Sequence, residues 1–139
     1  MKLITDRTKE DVLLGKEKGR YEAADLNRVE TAVQYLSFVL QSIISAEQLP
    51  TKTDWGAPGP FSSDTWPTTR QMDRYLNNVK SLCSSVGISA DLPESMEDLN
   101  WQGANQIEAA LSQVLEYVRS NYKGFQYSGD LFAGEENGL

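Results

Sequence analysis

The chain has 139 residues, of which 40% are hydrophobic and 24% charged, a profile typical of one globular domain. Its formal net charge of −7 argues against a duplex-binding role, because phosphate neutralisation needs clustered cations. No apolar run approaches the roughly 20 residues that span a bilayer, and the first residues lack the apolar stretch of a signal peptide. The single cysteine, Cys83, fits a reducing compartment. We expect a protein made in the cytoplasm, with no nucleic acid partner and no membrane insertion.

The first half of the chain predicts two helices. Thr8 and Asp11 resemble a capping box ahead of an apolar side at residues 12–14, and Gly15 weakens this short helix. The next helix is predicted over residues 25–46, with Asp25 as its N-cap, because apolar residues recur at alternating spacings of three and four.

Two further helices follow. Thr68-Thr69-Arg70-Gln71 matches a capping box, and Gly87 suits the left-handed residue that ends this helix. The last helix is predicted over residues 100–122. Between the second and third helices, residues 47–67 hold four of the five prolines together with Trp55 and Trp66. A connection of this length is expected to pack across the bundle and bury both rings.

The predicted fold is therefore all-α: a small bundle of three long helices plus a short N-terminal helix and a long packed loop. Residues 1–124 form the helical bundle domain, and residues 125–139 form an extended or short-β C-terminal arm. An extended arm can add to the edge of a neighbouring sheet. The partner-binding residues predicted on this arm are Phe125, Tyr127, Leu131 and Phe132.

No catalytic motif is found. The chain has no histidine, Cys83 lies on an apolar stripe, and the glycines of residues 56–60 lack the ending of a phosphate loop. The acidic residues at 91–98 lack calcium-loop spacing. Glu30 and Glu108 occupy equivalent positions, but pairing with nearby arginines is a simpler role than a glycosidase-like pair. We predict no enzyme activity, no cofactor and no metal site.

A polar pattern accompanies the apolar stripes. Asn27-x-x-Glu30 is repeated as Asn105-x-x-Glu108, which suggests two nearly equivalent helices. We hypothesise that polar residues beside the stripes form a hydrogen-bond network that ties helices and loops together. Its predicted members are Asn27, Arg28, Arg74, Asn78, Asn105 and Glu108.

Charge is unevenly distributed. Residues 1–20 hold six basic and four acidic side chains, whereas residues 88–118 hold six acidic and no basic ones. This contrast fits either a solvated acidic face or an acidic face that meets the basic N-terminal segment of another copy or partner.

Several motifs, in order along nearly the whole chain, resemble a family of prophage tail- and baseplate-associated proteins of Gram-positive bacteria. The resemblance implies a virion structural component near the tail tip or fibre attachment, and it supplies no site residues. The motifs are Asp6-Arg7-Thr8-x-x-Asp11-Val12, Tyr21-x-Ala23-x-Asp25-Leu26-Asn27-Arg28-Val29-Glu30, Thr51-Lys52-Thr53-Asp54-Trp55, Met72-x-Arg74-Tyr75-Leu76-x-Asn78-Val79, Ala104-Asn105-x-Ile107-Glu108 and Tyr127-Ser128-Gly129.

The favoured function is a non-enzymatic adaptor in the baseplate or fibre-attachment region of a phage or prophage tail. Its expected partners are other virion proteins, with self-association as a further option. One alternative is a carbohydrate- or cell-wall-binding module that stacks sugars on Trp55, Trp66, Trp101 and Tyr127. Another is a regulatory protein that binds a host factor through its acidic face.

Overall fold

The structure, a computed structural model, describes residues 2–19, 21–52, 55 and 67–122. It is helical in these ranges, which contain no strand, so the all-α prediction is confirmed for them. The arm predicted at 125–139 lies outside the described residues. In chain order the helices are α1 (Lys9–Leu13), a short 3-10 turn (Glu17–Gly19), α2 (Ala23–Ile44), α3 (Thr69–Ser85) and α4 (Trp101–Asn121).

The start of α2 differs from the prediction. The helix begins at Ala23 with Glu22 as its N-cap, so Asp25 lies inside the first turn rather than capping it. The carboxylate of Asp25 accepts a hydrogen bond of 2.7 Å from the backbone N–H of Glu22. This is the reach-back contact of a capping box, so the aspartate closes the helix start from within. The helix ends at Ile44, because Ser45 adopts a left-handed conformation with φ of 57°.

The starts of α3 and α4 are confirmed. Thr68 and Gln71 form a reciprocal capping box at the start of α3, and Gly87 has a φ of 73° just beyond its end. Asn100 caps α4 by accepting a hydrogen bond of 2.8 Å from the backbone N–H of Gly103. Local capping chemistry therefore determines where both helices begin.

Helix α1 has the predicted capping box of Thr8 and Asp11, but its apolar side is not packed into the core. Val12, Leu13 and Leu14 are 45%, 74% and 62% exposed. The helix ends at Leu13, and Gly15 turns the chain with a φ of 67°. The apolar side predicted for this helix faces outward, because α1 packs mainly against the 3-10 turn.

The three long helices pack against one another and begin at the same end of the bundle. Arg28, the sixth residue of α2, pairs with Glu108, the eighth residue of α4. Arg74, the sixth residue of α3, pairs with Glu30, the eighth residue of α2. Contacts at equal depth from each helix start indicate that the helices run in the same direction.

Parallel helices need long return connections, and the connection after α2 runs back along that helix. The backbone N–H of Leu49 donates to Ser37, that of Lys52 to Glu30 and that of Trp55 to Asn27. From residue 49 to residue 55, the backbone N–H groups of the connection thus bind progressively earlier residues of α2. The prediction that this connection packs against the bundle and buries its ring is confirmed at Trp55, which is 1% exposed. Trp66 lies outside the described residues.

The core lies between the three long helices, where their apolar stripes meet. Its residues come from all three helices and from the return connection. At about 25 cal/mol per Å² of apolar surface, burial of this cluster is the main favourable contribution to folding. The fully buried members include Leu26, Val29, Leu36, Leu40, Trp55, Tyr75, Val79, Ile107, Leu111 and Val114.

Candidate functional site

The N-terminal segment is held on α4 by two side chains three residues apart. The backbone N–H of Ile4 donates to Glu108 Oε1 at 2.9 Å. The backbone N–H of Arg7 donates to Asn105 Oδ1 at 3.0 Å, and Asn105 Nδ2 donates to the Arg7 carbonyl at 3.0 Å. Asn105 therefore binds both the backbone N–H and the backbone carbonyl of Arg7.

Two arginines converge on the same carboxylate. Arg7 Nη2 lies 2.7 Å from Glu108 Oε2, and Arg28 binds both oxygens of Glu108 at 2.8 Å. Asp25 Oδ1 accepts from Arg28 at 2.5 Å and from Arg7 at 3.3 Å. We call Arg7, Asp25, Arg28, Asn105 and Glu108 the Glu108 clamp. Its two guanidinium and two carboxylate groups balance in charge.

Burial makes this charge balance necessary. Arg7 is 2% exposed and Glu108 is fully buried, so each charge depends on the other for compensation. Burial alone would lower the pKa of Arg28. The hydrogen bonds and negative charge of Glu108, followed by those of Asp25, outweigh it and raise the pKa above its ordinary value. The Arg28 guanidinium is therefore held in its ionised form.

A second cluster, built in the same way, holds the return connection on α2. The backbone N–H of Lys52 donates to Glu30 Oε2 at 3.2 Å, and that of Trp55 donates to Asn27 Oδ1 at 2.9 Å. The indole Nε1 of Trp55 donates to Glu30 Oε2 at 2.9 Å. Again two backbone donors three residues apart meet an Asn and a Glu three residues apart.

The arginine of this second cluster comes from α3. Arg74 binds both oxygens of Glu30, at 2.7 and 3.0 Å, and also donates to the Pro50 carbonyl at 2.8 Å. Asn78 Nδ2 donates to the same carbonyl at 2.6 Å. We call Asn27, Glu30, Trp55, Arg74 and Asn78 the Glu30 clamp.

The repeated Asn-x-x-Glu pattern explains the likeness of the two clamps. Asn27 and Asn105 are the fifth residues of their helices, and Glu30 and Glu108 are the eighth. Each Asn holds a backbone amide, and each Glu receives a second amide, a side chain of the segment and a bidentate arginine from another long helix. Neither carboxylate is left free for chemistry on a substrate, because both oxygens of each accept hydrogen bonds.

A tyrosine pair, of which Tyr75 is buried and Tyr21 half-buried, lies between the clamps. The hydroxyls of Tyr21 and Tyr75 are hydrogen-bonded, and the Arg7 guanidinium lies 5.6 Å from the centre of the Tyr21 ring. Burial raises the pKa of both tyrosines above 10. The negative charges of Glu108 and Glu30 both add to the rise at Tyr75, so this hydroxyl is near both carboxylates.

The six polar residues predicted as one network are placed in two clusters. Arg28, Asn105 and Glu108 belong to the Glu108 clamp; Asn27, Arg74 and Asn78 belong to the Glu30 clamp. The predicted network did not include Arg7, Asp25, Glu30 or Trp55, although Glu30 was expected to pair with a nearby arginine. The Asn-x-x-Glu repeat was the available signal for where segments bind, but no local pattern pointed to Arg7.

Of the candidate sugar-stacking residues, the structure describes Trp55 and Trp101. Trp55 is buried and its indole N–H is bonded to Glu30, so its proposed role as an exposed platform is wrong. Trp101 is partly buried. Trp66 and Tyr127, like the arm residues Phe125, Leu131 and Phe132, lie outside the described residues.

Part of the charge asymmetry is satisfied within the chain. Arg7 belongs to the basic N-terminal segment, and Glu108 belongs to the acidic stretch at 88–118; their side chains pair at 2.7 Å. Cys83 is buried, and burial raises the pKa of its thiol, which suits a structural side chain.

In the described ranges, no group of three or more potential ligands is placed to hold a metal ion. None of the helices seen there is both long and apolar enough to cross a membrane. Comparison with known proteins finds no matching family model, no matching curated protein and no matching solved structure.

Proposed function

We propose that this chain is a structural adaptor of a phage or prophage tail, in the baseplate or fibre-attachment region, that acts through protein–protein contacts and not through catalysis. Its partners are other virion proteins, further copies of the chain, or both. Two observations support the proposal: the family resemblance carried by the sequence motifs, and an exposed apolar surface on α1. The second is the observation on which the proposal depends most.

The exposed surface consists of Val12, Leu13 and Leu14, which we call the α1 ridge. The three residues are 45%, 74% and 62% exposed, and large apolar side chains exposed close together in the chain can mark contact sites. Burying such side chains in an interface stabilises it by roughly 1.5 to 3 kcal/mol each.

The ridge is held firmly in place. The backbone N–H of Lys16 donates to the Asp11 carbonyl at 2.9 Å, and Arg7 Nε donates to the Lys18 carbonyl at 3.0 Å. Gly19 packs so closely that a Cβ there would stand 2.7 Å from the carbonyl of Asp11. Arg7 of the Glu108 clamp thus also binds the 3-10 turn, which packs against the helix that carries the α1 ridge. A fixed apolar projection can bind a partner with little loss of conformational entropy.

The direct test is to look for the chain in particles. Prophage induction in the bacterium that carries the gene, followed by gradient purification and quantitative mass spectrometry, would measure its copy number per particle. We expect a constant copy number from one preparation to the next. Chain present in the lysate but missing from purified particles would refute a virion role.

A paired substitution tests the ridge itself. Replacing Leu13 and Leu14 with Ser should abolish incorporation and leave the free energy of unfolding unchanged, because both side chains are exposed. Phe38→Ser is the matched control, since Phe38 is 65% exposed on α2. Normal incorporation of the Leu13→Ser, Leu14→Ser chain would remove the ridge from the proposal.

The C-terminal arm is tested in the same assay. We predict that deleting residues 125–139 leaves the fold intact and abolishes incorporation, because Phe125, Tyr127, Leu131 and Phe132 were predicted to contact the partner. Incorporation of the truncated chain at the normal copy number would refute this role for the arm.

A further inference from the structure

A cavity of about 610 Å³ opens beside the first turns of α2 and α3. Its apolar lining comes from three elements that meet there: Leu26 of α2, Met72 of α3, and Met96 and Leu99 of the segment that leads into α4. Both methionines are partly exposed. Flexible thioether side chains can adapt to different apolar guests, so this lining suits an inserted side chain.

The rim of the cavity is acidic. Asp73, Glu97 and Asp98 line it, all three are exposed, and no basic residue lines it in the part of the chain that the structure describes. An inserted cation would gain from three carboxylates without displacing an existing partner among the lining residues. An acidic rim above an apolar lining matches a side chain that has an aliphatic stem and a cationic end.

Asp73 also has a meaningful position on its helix. It is the fifth residue of α3, as Asn27 is of α2 and Asn105 is of α4. The two asparagines each accept a hydrogen bond from the backbone of an extended segment, whereas Asp73 opens onto the cavity. The equivalent position on α3 therefore faces the cavity instead of a segment that the structure describes.

The chain itself shows how such a side chain can bind. Arg7 lies over the ring of Tyr21 while its guanidinium pairs with Glu108 and Asp25. Tyr21 also lines the cavity, so an aromatic ring and carboxylates are again close together. Arginine fits this arrangement better than lysine, because its planar group binds carboxylates in pairs and stacks on rings.

We propose that this cavity binds an arginine side chain carried on an extended segment of a partner protein. The inference rests on the proposed function in taking the occupant to be a protein of the assembly. Its test uses the purified full-length chain and a synthetic probe, so its failure would leave the particle experiment unaffected.

The methionines provide the readout. The chain has three, and two of them, Met72 and Met96, line the cavity. Protein labelled with ¹³C at the methionine methyl groups would be titrated with the capped peptide Gly-Leu-Arg-Leu-Arg-Gly. We expect the methyl resonances of Met72 and Met96 to shift in a saturable way. Resonances that do not respond would overturn the proposal.

Two comparisons test the charge. The same peptide with citrulline in place of arginine should bind weaker by on the order of tenfold, since it lacks the positive charge. The variant Asp73→Asn, Glu97→Gln, Asp98→Asn should bind the arginine peptide more weakly by a similar factor. Its control is Glu10→Gln, Asp91→Asn, Glu116→Gln, which changes the net charge equally at exposed positions outside the cavity. Equal binding of both peptides, or equal loss in both variants, would refute a specific arginine site.

The same spectra distinguish a partner from a second copy. If the Met72 and Met96 resonances moved with protein concentration in the absence of peptide, the cavity would be filled by another copy of the chain. That result would overturn the assignment to a different protein.

Discussion

The Glu108 clamp and the Glu30 clamp share a geometry but differ in the side chain that the bound segment inserts. In the Glu108 clamp it is the guanidinium of Arg7; in the Glu30 clamp it is the indole of Trp55. Both side chains are almost fully buried, at 2% and 1% exposed. The same Asn-x-x-Glu pattern therefore accepts either a cation or a neutral N–H donor.

The difference determines what each clamp depends on. Trp55 gains free energy from burying its large ring and needs only one partner for its N–H. Arg7 gains little from burial and requires compensating charge, which Glu108 and Asp25 supply together. The Glu108 clamp holds residues 4–7 mainly through ion pairs. The Glu30 clamp holds the connection after α2 mainly through the apolar contacts of Trp55.

The largest expected effect comes from removing each clamp's carboxylate charge. Glu108→Gln should lower the free energy of unfolding by about 3 to 5 kcal/mol, because it leaves two buried arginines with Asp25 alone. Glu30→Gln should cost about 1 to 3 kcal/mol, because the Arg74 side chain is 24% exposed and can turn toward water. Urea denaturation measures both, with Glu94→Gln as an exposed control. Equal costs would show that the clamps do not differ in their dependence on charge.

The arginines should show a smaller contrast in the same direction. Arg28→Ala and Arg74→Ala should each cost roughly 1 to 3 kcal/mol by leaving buried acceptors without donors. Arg28 should be the more costly, since its side chain is 15% exposed and bridges two carboxylates. Arg70→Ala, on the exposed side of α3, is the matched control. An unchanged denaturation midpoint for both clamp variants would contradict a stabilising role for the arginines.

High pH should weaken the link between the clamps. The folded pKa values of Tyr21 and Tyr75 lie above the ordinary 10, so their stabilising effect is complete below pH 10 and is lost as pH rises toward the folded values. Between pH 10 and 11 the free energy of unfolding should fall by up to about 1.4 kcal/mol per tyrosine. The double variant Tyr21→Phe, Tyr75→Phe should lose this part of the pH dependence, and Tyr117→Phe should retain it. Identical pH profiles in all three proteins would argue against the pair as the source.

The smallest effects should be local. Asn105→Ala removes the acceptor of the Arg7 amide, and Asn27→Ala removes that of the Trp55 amide. Each change should cost about 1 kcal/mol and speed hydrogen exchange of its own amide roughly fivefold, while the other amide keeps its rate. Exchange measured by NMR would separate the two. If each variant accelerated both amides equally, the clamps would be opening as one unit.

The parts of the fold that follow local chemistry were predictable. The capping box at Thr68 acts over three residues and was located from the sequence, and the start of α4 was predicted near Asn100. The N-cap of α2 was misplaced by three residues, because Asp25 suits the third position of a capping box as well as it suits the cap position.

The parts that depend on distant contacts were not predictable. The apolar residues Val12, Leu13 and Leu14 are consecutive, and whether any of them is buried depends on which element covers the helix. The common direction of the helices follows from the return connections, whose paths leave no periodic signal. The Asn-x-x-Glu repeat indicated the positions of both clamps. Which side chain is inserted at each clamp, Arg7 or Trp55, depends on residues elsewhere in the chain.

The pairing of Arg7 with Glu108 has a consequence for how the protein is made. The two residues are 101 positions apart, so a ribosome that adds about 5 to 20 residues per second completes Arg7 some 5 to 20 seconds before its partner exists. Until α4 has emerged, Arg7 can bind Asp25 and the Lys18 carbonyl but lacks Glu108 and Asn105. A helix synthesised later therefore fixes a segment synthesised earlier, and a nascent chain interrupted before Glu108 cannot form this clamp.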